Sequence, residues 1–107
     1  MKKFNLSQMN IFSKGKSKLE PRIYSLLQQI LPHGKKVGSE YISTNPTRYD
    51  QKLGSFKINI HTGKWADFAT NDKGGDIISL YAYIKGISQK QSLLELLKLI
   101  GEKLWMR

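Results

Sequence analysis

The segment from Ser55 to Phe68 constrains this chain more than any other. Phe56, Ile58 and Ile60 alternate with Lys57 and Asn59, which is the period-two pattern of a half-buried strand. Thr62-Gly63 supplies a turn, and Lys64 to Phe68 returns as a second strand. Loop length then decides which side chains share a face. A three-residue loop, His61-Thr62-Gly63 with Gly63 left-handed, sets Ile60 opposite Lys64, Ile58 opposite Ala66 and Phe56 opposite Phe68. That register gives one apolar face and leaves Lys57, Asn59, Trp65 and Asp67 on the other. A two-residue loop moves Asp67 among the apolar residues, and an unpaired buried carboxylate costs several kcal/mol. The three-residue loop is therefore the expected one.

The rest of the chain reads as helix around this hairpin. Ile23, Leu26, Leu27, Ile30 and Leu31 recur at helical spacing after Pro21 and stop at Pro32. His33 to Gly38 is expected to be a basic loop, Glu40 to Thr44 a short strand, and Asn45 to Asp50 a turn. Asn71 to Asp76 reads as a tight loop. Asp76 then caps a helix over Ile77 to Lys85 that ends at Gly86. Ser88 caps a last helix with Leu93, Leu94, Leu96, Leu97 and Ile100 on its apolar side. The ending, Glu102 to Arg107 with Trp105, is amphipathic, fit to extend that helix or to dock on a partner. Residues 1–18 carry five lysines and no acid, and read as a flexible basic tail. The expected fold is α+β: an antiparallel sheet of about three strands, one N-terminal helix and two C-terminal helices. Residues 19–107 form one domain, as the length of 107 residues allows.

Charge narrows the function. Eighteen Lys and Arg face eight Asp and Glu, a formal net charge of +10, which favours a polyanionic partner. The absence of cysteine removes disulfides, thiolate zinc sites and cysteine nucleophiles together. No apolar run approaches the ~20 residues of a membrane span, and polar residues follow Met1-Lys2-Lys3-Phe4 where a signal peptide needs an apolar stretch. A cytoplasmic location is expected. No phosphate-binding Gly-Lys-Ser/Thr loop or metal-spaced His pair occurs. Asp67, Asp72 and Asp76 fall on strand, loop and cap, so no catalytic set is expected.

The order of these elements carries a resemblance. Asn45-Pro46-Thr47-Arg48, Gly54-Ser55-Phe56-Lys57-Ile58-Asn59, Thr62-Gly63-Lys64-Trp65-Ala66-Asp67-Phe68-Ala69-Thr70 and Gly74-Gly75-Asp76-Ile77-Ile78-Ser79-Leu80 together resemble the N-terminal zinc-ribbon domain of bacterial, phage and plasmid DNA primases and primase-helicases. The match is to the variants without zinc ligands. Zinc-bearing members place a Cys-x-x-Cys pair at the positions of Asp67 and Thr70, and an earlier Cys/His pair in the turn from Asn45 to Tyr49. The resemblance implies a metal-free, cofactor-free, non-catalytic domain that binds single-stranded DNA beside a primase, helicase or polymerase, in replication of a mobile element or a chromosome. Trp65 stacks on a base in this reading, and Arg48, Lys57 and Lys64 take phosphates. Asn59 bonds a base or sugar, and Lys73 with the Gly74 and Gly75 N–H groups holds a phosphate at a helix N-terminus. Structural roles stand beside these: Trp65 as a core anchor, Arg48 paired with Asp50, Asp67 accepting local hydrogen bonds. The second functional reading is a protein-interaction module docking on a replication enzyme through the last helix and the Trp105 segment.

Overall fold

The computed structural model describes the backbone of residues 2–101 and side chains from residue 11 onward. Helix α1 (Lys2–Leu19) leads through a single 3-10 turn (Glu20–Arg22) into α2 (Ile23–Ile30). Five strands follow: β1 (Lys35–Val37), β2 (Glu40–Ser43), β3 (Phe56–Asn59), β4 (Trp65–Asp67) and β5 (Asp72–Gly74). They pair in sequence order as one antiparallel sheet. Helices α3 (Ile77–Lys85) and α4 (Gln89–Leu99) close the fold. The Trp105 segment lies outside the described residues. Among the described residues, no helix is long and apolar enough to cross a membrane.

The α+β class and the helices after residue 19 stand where the sequence places them. Asp76 caps α3 by accepting from the Ser79 N–H at 2.9 Å, and Ser88 caps α4 through the Gln91 N–H at 3.0 Å. Gly86 ends α3 at φ 68°, a backbone state that costs glycine little. The strand count differs from the expected three. The Val37↔Glu40 pairing leaves Gly38 and Ser39 as a two-residue loop, with Gly38 at φ 62°, and so turns the expected basic loop into strand β1. Every residue of β1 is exposed, so no apolar alternation marks it. Asn71, at φ 70°, likewise folds the expected Asn71–Asp76 loop back on β4 as strand β5.

The flexible-tail reading of residues 1–18 is also corrected, because the chain is helical from Lys2 to Leu19. Phe12, Gly15 and Leu19 fall at helical spacing on the side facing the core. Leu19 is fully buried and Phe12 packs against the core cluster. Gly15 is the point of closest approach to α4: a Cβ there would lie 2.5 Å from Leu93 Cδ1. A lysine-rich helix without acids gains its stability from this packing, not from propensity.

The core lies between the helices and one face of the sheet. Tyr41, Phe56, Ile58 and Trp65 project from the strands and pack with Ile23, Leu26, Leu27, Leu80, Leu93 and Leu97. Its polar groups are satisfied: the Tyr41 hydroxyl donates to the Leu31 carbonyl at 2.6 Å, and Ser92 Oγ to that of Ile78 at 2.7 Å. Among the described residues no helix packs on the opposite face of the sheet, so the side chains that alternate with the core residues face outward.

Candidate nucleic-acid interface

Register decides what this open face presents. Phe56 pairs with Asp67, Lys57 with Ala66 and Ile58 with Trp65. The Asn59 N–H donates to the Lys64 carbonyl at 2.8 Å and the Gly63 N–H to the Asn59 carbonyl at 2.9 Å, closing a four-residue loop over residues 60–63. This loop corrects the expected three-residue one. It has the parity of the rejected two-residue alternative, so Trp65 and Asp67 turn inward while Ala66 and Phe68 turn outward. Gly63 occupies the left-handed region at φ 80°, and a Cβ there would sit 2.7 Å from the Ile77 backbone nitrogen.

Trp65 is therefore a core residue, 4% exposed. Its ring lies 4.7 Å from that of Tyr83 and 6.1 Å from that of Phe56, and its Nε1–H donates to Ser79 Oγ at 3.0 Å. The expected stacking platform is thus the core anchor. Phe68, expected in the core, is 68% exposed on the open face, with Lys57 Nζ 5.9 Å from its ring centroid.

Asp67 is fully buried, yet far from unpaired. Its carboxylate accepts from Arg48 Nε at 2.9 Å, Arg48 Nη2 at 3.3 Å, Asn45 Nδ2 at 2.8 Å and the Ala69 N–H at 2.9 Å. Burial pushes this carboxyl up, and the hydrogen bonds from Arg48, Asn45 and Ala69 outweigh it, holding Asp67 well below the usual carboxylate range. Arg48 is engaged further, since Nη2 also donates to Ser55 Oγ at 3.0 Å and pairs with Asp50 at 3.2 Å. It is not among the residues that line the groove of the open face. The network continues through Asn45 Nδ2, which donates to the Tyr83 hydroxyl at 2.9 Å, and through that hydroxyl, which donates to Asp72 Oδ2 at 2.8 Å.

The turn and the β4 end, where the resemblance puts metal ligands, thus do come together, but around a different chemistry. A guanidinium only donates, and the Asp67 oxygens are already occupied by hydrogen bonds. These residues do not fit a zinc ion, which takes about four N, S or O ligands. Among the described residues, no cluster of three or more His, Cys, Asp or Glu is placed to hold a metal. His33 and His61 lie in separate exposed loops.

The remaining expected residues converge. Lys57, Asn59, Lys64, Lys73, Gly74 and Gly75 line one shallow groove of about 620 Å³ on the open face, together with Glu40, Ala66, Phe68 and an edge of Trp65. The three lysines have no acidic partner among the described residues. Asn59 is partly spoken for, because its Oδ1 accepts the His61 and Thr62 N–H groups at 2.8 and 3.0 Å and shapes the loop. The helix N-terminus expected to receive a phosphate is filled by the Asp76 carboxylate, with Lys16 3.5 Å away. Gly74 has a packing role instead. A Cβ there would lie 2.4 Å from both Trp65 Nε1 and Ser79 Oγ. Gly74→Ala is expected to lower stability by about 1–3 kcal/mol through overpacking, read from a thermal melt. Gly75→Ala, in open space, serves as the control with little change.

The fold is similar to the crystal structure of the Aquifex aeolicus primase (zinc binding and RNA polymerase domains), with a TM-score of 0.65 and 26% sequence identity over 83% of this chain. The fold is primase zinc-ribbon-like. This chain spans 22% of that primase chain. No protein-family model and no curated protein matches the sequence. Phe68, Ala66 and Glu40 are the groove residues that sequence reasoning missed. The parity of the hairpin loop held Ala66 and Phe68, and the Arg48 partner of the buried Asp67 was its hidden signal; Glu40 reaches the groove through its pairing with Asn59 across β2 and β3.

Proposed function

We propose that this domain is a non-catalytic, single-stranded nucleic-acid platform that helps a primase, helicase or polymerase engage its template during replication of a mobile element or chromosome in the cytoplasm. The observation that carries the reading is the groove itself. Lys57, Lys64 and Lys73, without acidic partners among the described residues, share one groove with an exposed Phe68 on a sheet face that no described helix covers. Amines beside an aromatic ring on an open sheet form the combination that grips a strand by phosphate contact and base stacking. A duplex buries its bases and offers the ring nothing to stack on. The similarity to a primase supports the replication setting, and no residue is assigned a role in bond making or breaking.

Fluorescence anisotropy with labelled single-stranded and duplex DNA across a salt series tests this reading. Single strands are expected to bind tighter than duplex. The triple variant Lys57→Ala/Lys64→Ala/Lys73→Ala is expected to bind more weakly and to lower the salt slope by about 2, at roughly 0.7 per single-strand phosphate contact. An unchanged slope, or duplex preferred over single strand, would overturn the platform.

A further inference from the structure

Glu40 is out of place in a groove built for phosphates. It is the one acid among the residues lining that groove, it is half-buried, and its carboxylate has no hydrogen bond or ion pair with any described residue. Its Cα partner across β2 and β3 is Asn59. Phe68 lies at the other end, where its N–H donates to the Ser55 carbonyl. Four residues of strand separate the Ser55 and Asn59 levels, about 13 Å, so the ring and the carboxylate cannot serve the same base. Lys57 stands between them and Lys64 beside the Glu40 end.

Building on the platform reading, we infer that Glu40 makes the groove prefer guanine about two positions along from the base stacked on Phe68. A carboxylate only accepts hydrogen bonds, so it repels phosphate and every base edge dominated by acceptors. Single-stranded bases expose their Watson–Crick edges. Guanine alone presents two adjacent donors there, N1–H and N2–H, which match the two oxygens of a carboxylate. Adenine and cytosine each set one amino donor beside a ring-nitrogen acceptor, and thymine sets one imino donor between two carbonyls. The flanking Lys57 and Lys64 hold the phosphates on either side, so the acid meets the base edge and not the backbone.

The probe is a short oligothymidine carrying one central guanine, compared with the same strand carrying inosine, adenine, cytosine or thymine there. The guanine strand is expected to bind roughly 5- to 150-fold tighter than the adenine, cytosine and thymine strands, the scale of one two-point base contact. Inosine, which lacks the N2 amino group, should fall in between. Glu40→Gln should remove the preference, whereas Phe68→Ala should weaken all the strands alike and keep it. Equal binding of all strands by the wild type, with Glu40→Gln tightening each by the same factor, would overturn the guanine inference and leave the platform standing. Failure of the wild type to bind any of these strands at low salt would overturn both.

Discussion

Asp67→Ala is expected to cost about 3–5 kcal/mol of folding stability, as removal of one partner from a buried ion pair does. For a domain of this size that is a large share of a total of about 5–15 kcal/mol. The carboxylate collects Arg48, Asn45 and the Ala69 N–H at one point, and removing it leaves Arg48 Nε without its acceptor and the buried Asn45 amide with the Tyr83 hydroxyl alone. A denaturant melt at neutral pH reads the effect, and a loss below about 1 kcal/mol, the range of surface pairs, would show the network to be incidental. The pH dependence follows from the depressed Asp67 carboxyl. The unfolded chain titrates at the ordinary carboxylate value near pH ~4 and the folded one lower. The contribution is therefore complete above that value and is lost as pH falls toward the folded one. The wild type should lose stability steeply on acidification, and Asp67→Ala less so. A chelator should leave the wild-type melt unchanged.

The second large effect is a division of labour between two rings. Trp65→Ala should destabilise the domain by about 3–5 kcal/mol, as deletion of a core aromatic does, because Trp65 packs against Tyr83 and Phe56. Phe68→Ala should leave the melt nearly unchanged and weaken single-strand binding by about 1–3 kcal/mol, the value of one base stack. Circular dichroism and anisotropy on both variants separate the roles. A folded Trp65→Ala that loses binding, with Phe68→Ala indifferent, would restore Trp65 as the platform.

Much of the architecture is legible in the sequence. The hairpin strands, the helices after residue 19 and both N-caps follow from periodicity and capping chemistry. The register was not, and the reason is specific. The choice of loop rested on the cost of burying Asp67 alone, whereas the fold buries it with Arg48, nineteen positions earlier. Local pattern gives no warning of such a partner. One slip of parity exchanged Trp65 and Asp67 for Ala66 and Phe68. Lys57, Asn59, Lys64 and Lys73 kept their places, because β3 had its faces right and Lys64 and Lys73 line the groove through the turn and the added strand. Strands β1 and β5 escaped notice because neither carries apolar alternation. Helix α1 escaped because its lysines outweigh Phe12, Gly15 and Leu19.

The Tyr83–Asp72 hydrogen bond has a consequence for how tightly the groove can grip. Strand β5 is three residues long and lies at the sheet edge, the kind of element that frays. Its first residue, Asp72, is tethered to α3 through Tyr83, and its second, Lys73, stands in the groove. Tethering holds Lys73 in place before any ligand arrives, so a bound strand does not have to order it, and that saved entropy goes into affinity.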